Sequence, residues 1–184
     1  MTVEEQIKIL VESGDHKALE QAFGLLIDAY QRPIYYYIRR MVLDHDDADD
    51  LTQTTFINAW KSLDKFRFES KASTWLHTIA YRESIHLLEQ RKRICRIPMD
   101  AIAYQLSDHL LSDPLYDGNF IQTKLQEAIA LLPEKQKAVF IMKYFEEKKY
   151  DEIAEITGTT IGGLKASYHH AVTKIETYLK NIPA

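Results

Sequence analysis

The chain has 184 residues, 46% hydrophobic and 27% charged, with a formal net charge of −4 at pH 7. This length allows one large or two small cores, and no stretch approaches the roughly 20 apolar residues of a bilayer-spanning helix. The single cysteine, Cys95, excludes an intramolecular disulfide and suits a reducing cytoplasm, while the negative balance excludes a uniformly basic nucleic-acid coat.

The first segment, MTVEEQIKILVESGD, is acidic and amphipathic and does not read as a signal peptide. Residues 18–30 then carry Leu19, Ala22, Phe23, Leu26 and Tyr30 at helical spacing. Pro33 is expected to kink or restart this helix, which runs on through Tyr35, Ile38 and Met41. In the next helix Asp46 is the expected N-cap, and Asp47, Asp49 and Asp50 suit the positive end of the dipole. That helix should bury Ala48, Leu51, Thr55, Ala59 and Leu63 on one side. A third helix begins near Ser73, with Trp75, Leu76, Ile79, Ala80, Leu87 and Leu88 as its apolar residues. Beyond Arg96, Pro98, Pro114 and Gly118 among scattered acids mark a linker.

A second helical unit starts near Phe120, turns at Pro133 and ends in YDEIAEITGTTIGGL, residues 150–164. Ile153, Ala154, Gly158, Ile161 and Leu164 are placed as in two helices that cross closely. Ala154 is small enough for the second helix to approach, and Gly158 can supply the positive φ of a tight turn. Leu164, Tyr168, Val172 and Ile175 continue an apolar stripe along the second helix. Such a helix-turn-helix usually presents its second helix to a DNA major groove, although an αα-hairpin packed only for stability has the same pattern. No convincing period-2 run of β-branched residues occurs. The expectation is therefore all-α: two small helical domains, residues 1–96 and 120–184, joined by an acidic linker, residues 97–119.

Charge is segregated along this frame. Residues 43–64 hold Asp44, Asp46, Asp47, Asp49, Asp50 and Asp64 against Lys61 alone. From residue 65 to 96 the sign reverses: Lys65, Arg67, Lys71, Arg82, Arg91, Lys92, Arg93 and Arg96 outnumber Glu69, Glu83 and Glu89. Residues 97–120 contain no Lys or Arg, while Asp100, Asp108, Asp113 and Asp117 recur. A solvated face interleaves signs; blocks of one sign point to different partners for different segments.

Residues 47–88, DADDLTQTTFINAWKSLDKFRFESKASTWLHTIAYRESIHLL, resemble the promoter-melting domain of an extracytoplasmic-function (ECF, group IV) RNA polymerase sigma factor. The resemblance is carried by Asp50, Leu51, Gln53, Phe56 and Trp60, then Phe66 and Arg67, then Thr74, Trp75, Leu76, Ile79 and Ala80. The C-terminal half, LLPEKQKAVFIMKYFEEKKYDEIAEITGTTIGGLKASYHHA, is similar to the family's second domain, which reads the upstream (minus-thirty-five) promoter element. Together the two resemblances span about residues 18–179.

The resemblance implies a non-enzymatic protein that binds polymerase core, directs it to promoters and helps open the duplex. Asp50, Gln53, Thr54 and Asn58, on the polar side of the acidic helix, would meet a basic coiled coil of the largest polymerase subunit. The loop of residues 68–73 and the helix after it would hold the opened minus-ten strand. Unstacking DNA costs on the order of 1.4 kcal/mol per step, and a base stacked on an aromatic or held in a pocket returns about 1–3 kcal/mol. Ser70 and Ser73 leave room for a base and offer donors and acceptors to its edge, and Lys71 can hold the neighbouring phosphate. Phe68, Arg82 and His86 complete this set where relatives often carry other residues; Phe66 and Trp75, within the apolar pattern, are read as core. Arg91, Lys92 and Arg93 exceed what a helix C-terminus needs and are assigned to duplex phosphates.

The upstream element is assigned to Thr159, Thr160, Gly162, Gly163, Lys165, Ala166, Ser167, His169, His170 and Lys174. The glycine pair would let the helix start approach a phosphate, with free amides near Thr160 favouring that anion. These residues hold few charges and few donors to bases, so the expectation is phosphate anchoring with weak base reading. An auxiliary DNA-bound protein that recruits the chain follows as an expected partner, and an anti-sigma factor follows from the family. The linker is expected in the polymerase's positively charged RNA path.

Enzyme readings lack support. Neither G-x-x-x-x-G-K-[ST] nor G-x-G-x-x-G occurs. The run Asp44, His45, Asp46, Asp47 lacks the glycine and distal glutamate of a calcium loop. His169 and His170 point about 100° apart on a helix, and Cys95 has no activating arrangement. No catalytic site, metal or cofactor is expected. Two other readings stand beside the sigma factor: a dimeric helix-turn-helix regulator with an N-terminal sensor, and a module that binds polymerase without productive promoter contact.

Overall fold

The computed structural model describes residues 1–94 and 120–182. Cys95, Arg96 and the expected linker, residues 97–119, lie outside them. The described residues are helical, with no strand among them, and contacts divide the chain into two compact units. One comprises Met1–Ser84 with Glu155–Thr157, the other Ile85–Ala154 with Gly158–Ala184.

In the first unit α1 spans Val3–Glu12 behind a reciprocal cap between Thr2 and Glu5. Its buried residues, Ile7 and Val11, sit one turn apart and pack toward α2. α2, His16–Val42, is capped by Asp15 and runs as one helix through Pro33 without restarting. Pro33 is exposed, where water can satisfy the backbone carbonyl that the ring deprives of a donor. Ile34, Tyr37, Ile38 and Met41 hold the following turns in the core.

α2 ends at Leu43 in the left-handed conformation (φ 67°), with the Arg39 guanidinium donating to the Leu43 carbonyl. This reversal places Asp44, not Asp46, at the N-cap of α3, His45–Ser62. Asp44 is extended, so its Oδ1 reaches the Asp47 amide at 3.0 Å, whereas Asp46 already lies in the first turn. Asp44→Ala is therefore expected to lower stability by about 1 kcal/mol, and Asp46→Ala by only a few tenths. Urea denaturation of the two variants checks this; equal midpoints would return the cap to Asp46.

Ala48, Leu51, Thr55, Ala59 and Leu63 are buried as the periodicity predicts, joined by Thr52 and Phe56. The two threonine hydroxyls donate to carbonyls one turn back, Thr52 to Ala48 and Thr55 to Leu51, and so enter the core satisfied. A 3-10 turn, Leu63–Lys65, leads toward α4, Ala72–Ile94, whose residues from Ile85 on group with the second unit. His77 of α4 is buried against the Tyr37 ring, with Nδ1 2.8 Å from the Ser73 carbonyl oxygen.

In the second unit α5 spans Phe120–Ala130, and α6, Glu134–Tyr144, begins directly after Pro133. α7, Tyr150–Thr157, whose residues Glu155–Thr157 group with the first unit, is followed by α8, Ile161–Lys180. Gly158 adopts φ 68°, and its amide closes α7 on the Ala154 carbonyl at 2.8 Å. The core gathers Ala128, Ile129, Leu132, Phe140, Ala171 and Ile175, flanked by Tyr168 and Val172. Ile153 and Leu164 are fully buried at the helix crossing. Ile161, expected there too, is 40% exposed in the first turn of α8.

Candidate nucleic-acid interface

Asp46, Asp50, Gln53 and Ile57 are exposed along α3 at spacings of four, three and four residues, which is one helical face. Thr54 and Asn58 recede from it and are half-buried. The Asn58 amide is turned to α4 and donates to Glu83 Oε1 at 2.9 Å. Ile57 takes the outward place, 52% exposed, and Trp60 follows it on the same side at 37%, so the acidic face carries two large apolar residues. The helical spacing from Gln53 marks Ile57 in the sequence, but its apolar character hides it from a search for polar contacts.

The connection into α4 carries an aromatic group. The Phe66 ring stacks on Trp75, with centroids 4.4 Å apart and planes 15° apart, and Phe68 lies 4.4 Å from Phe66 at 50°. Phe66 and Trp75, read as core from their spacing, are half-buried together with Phe68 and stand outside the fully buried set. Phe68 itself has φ 54°, a left-handed conformation uncommon for an aromatic residue. Arg67 and Lys71 beside it are exposed, and Ser70 and Ser73 are half-buried.

Along α4, Arg82 and His86 are exposed one turn apart, and His86 Nε2 lies 2.9 Å from Gln90 Nε2. Arg91, Lys92 and Arg93 form the exposed last turn. Lys92 already has an anion: its Nζ is 2.6 Å from Glu134 Oε1, a residue of the same compact unit.

At the head of α8, Thr160 is the N-cap and its hydroxyl accepts from the Gly163 amide at 3.2 Å. The expected set of free amides is thus smaller by one, because the capping threonine uses it. The two glycines also separate in role. A Cβ at position 163 would meet Thr159 Cγ2 at 3.2 Å and Thr160 Oγ1 at 3.3 Å, crowding the cap, whereas at position 162 it would meet nothing within 4 Å. Lys165, Ala166, His169 and His170 are exposed, and Ser167 is half-buried. Lys165 lies 5.9 Å from the Tyr150 ring centroid, and Lys174 donates to Gln136 Oε1 at 3.0 Å. Among the described residues no group of three or more His, Cys, Asp or Glu could hold a metal ion. Nor is any helix among them long and apolar enough to cross a membrane.

The Sigma-70 region 2 family matches residues 26–94, and the Sigma-70, region 4 family matches residues 122–175. The RNA polymerase sigma-H factor of Pseudomonas aeruginosa is 30% identical over 98% of this chain and 97% of its own. The ECF RNA polymerase sigma factor SigW of Bacillus subtilis is 26% identical over 99% of each chain. Among solved structures, the fold is similar to that of the sigma factor RpoE in complex with the anti-sigma factor NepR from Bartonella quintana. That likeness has a TM-score of 0.66, covers 91% of this chain and 99% of the other, and has 24% identity. The chain belongs to the ECF RNA polymerase sigma factors, proteins that direct RNA polymerase to promoters.

Proposed function

We propose that this chain, a group IV sigma factor of the cytoplasm, grips polymerase core through α3 and helps melt the minus-ten DNA at the connection into α4. The observation that carries the melting role is the half-exposed Phe66–Trp75 stack with Phe68 against it, flanked by Arg67 and Lys71. The accessible part of these rings offers a flipped base the stacking it loses on leaving the duplex, and the cations offer its phosphates a partner. Ser70 and Ser73 supply polar atoms for a base edge, and Arg82 and His86 extend the path along α4.

In this reading residues 1–96 form the polymerase-binding and minus-ten domain, residues 97–119 the acidic linker, and residues 120–184 the upstream-element domain. Asp50 and Gln53, with Thr54 and Asn58 at the margin, face the coiled coil of the largest polymerase subunit. Arg91, Lys92 and Arg93 lie against duplex phosphates. The residues from Thr159 to Lys174 named above anchor α8 in the upstream groove. The Bartonella quintana sigma factor was solved with an anti-sigma factor, and by that likeness we infer an anti-sigma partner here.

Weak upstream reading is part of the proposal. Gly162 presents no side chain, the Gly163 amide is used by Thr160, and Lys174 is tied to Gln136. Specificity then rests more on the minus-ten element, and an auxiliary DNA-bound protein helps to bring the factor to its promoter. The test is run-off transcription with purified core on promoters mapped by sequencing its transcripts, with the upstream and minus-ten elements randomised separately. Randomising the minus-ten element is expected to abolish initiation and randomising the upstream element to reduce it only partly. The reverse order would overturn the reading of α8, and no core-dependent transcript would overturn the assignment as an initiation factor.

A further inference from the structure

The start of α4 is held by a residue of another helix. The first intrahelical hydrogen bond of α4 runs from the Trp75 amide to the Lys71 carbonyl, 3.0 Å, which makes Lys71 the capping position. A lysine side chain has no acceptor to offer the orphan amides. The acceptor comes from 68 residues away: Glu4 Oε1 takes the amide hydrogen of Ala72, the first residue of the helix. Glu4 lies in the first turn of α1, where Thr2 and Glu5 already form the cap, so its carboxylate is not needed there. It is half-buried, and Ile7 and Val11 hold its helix in the core. The same carboxylate stands near Tyr30 of α2, whose phenol is raised above its ordinary pKa, first by burial and then by Glu4. An anion at a helix start is favoured by the dipole, and a carboxylate bonded to a backbone N–H is among the stronger hydrogen bonds.

We propose that Glu4 is a positioning residue for the minus-ten loop. Through the Ala72 amide it fixes the first turn of α4, and with it the angle at which Trp75, Phe66 and Phe68 meet the melted strand. This rests on the assignment of that loop to the minus-ten strand. It makes α1, which lies outside the residues matched to Sigma-70 region 2, a working part of promoter opening.

The test uses holoenzyme formed from purified core and the full chain carrying Glu4→Ala, Glu4→Gln or, in the loop itself, Phe68→Ala. The probe is a fork DNA with a single-stranded minus-ten segment, taken from a promoter mapped by sequencing the transcripts of this holoenzyme. Loss of a helix cap predicts about fivefold weaker fork binding for Glu4→Ala. Glu4→Gln, which keeps a neutral acceptor, should recover part of it. Affinity for core should stay unchanged, and amide hydrogen exchange should rise about fivefold at residues 72–74 of the free chain. Faster exchange spread over the whole unit with weaker core binding would show a general folding role and overturn the proposal. Unchanged fork binding for Glu4→Ala, alongside a loss for Phe68→Ala, would overturn it too. Unchanged fork binding for Phe68→Ala as well would overturn the assignment of the loop, and the proposal with it.

Discussion

Core affinity is expected to fall more than tenfold when Asp50→Lys is combined with Gln53→Ala. Both residues are exposed on α3, and neither contributes to the buried set of Ala48, Leu51, Thr52, Thr55, Phe56 and Ala59. The fold should therefore survive the double change. Close charge pairs across an interface couple by about 1.5 kcal/mol or more, and reversing one member turns attraction into repulsion. A factor of ten corresponds to about 1.4 kcal/mol. Asn58→Ala, at the margin of the face, removes the hydrogen bond to Glu83 and should lower the melting temperature, which neither Asp50 nor Gln53 should do. Affinity is read by titrating labelled chain with purified core, and circular dichroism reports the fold. Wild-type affinity in a folded double variant would remove α3 from the polymerase interface.

The second large effect concerns the basic end of α4. Arg91→Ala with Arg93→Ala should weaken promoter binding on all sequences alike, because phosphates carry no base identity. Each phosphate left without its cation should flatten the log–log salt dependence by roughly 0.9, which sets roughly 1.8 as the ceiling for the pair. Adding Lys92→Ala should change it by less than a further increment of roughly 0.9. Its ammonium already has the Glu134 carboxylate at 2.6 Å, and that partner has to be given up before a phosphate is gained. Filter binding of holoenzyme to duplex promoter over a range of salt concentrations measures all three slopes. An unchanged slope in the double variant would leave these residues as cations at the negative end of a helix dipole and nothing more.

What the sequence made legible was whatever repeats along a helix. The burial of Ala48, Leu51, Thr55, Ala59 and Leu63, the apolar stripe of α8 and the turn at Gly158 all follow from spacing. Caps were harder. In a run of aspartates any member can serve, and the choice of Asp44 was made by the left-handed Leu43 one residue earlier. Phe66 and Trp75 fit an apolar pattern, and nothing in it announces that a left-handed Phe68 packs against their stack. Gly163 reads as a partner of Gly162 until the cap geometry shows that Thr160 needs the space. The bond between Glu4 and Ala72 joins elements far apart in the chain, and no local pattern encodes it.

The backbone at Phe68 has a consequence for attempts to make this factor more robust. A left-handed aromatic residue is held at a cost of about 1 kcal/mol or more relative to glycine, which adopts that conformation freely. Screening a library for heat resistance alone would therefore favour glycine at this position and discard the ring. The survivors would melt at higher temperature and lose part of the surface that the proposed function gives to the opened strand, a trade between durability and activity concentrated in one dihedral angle.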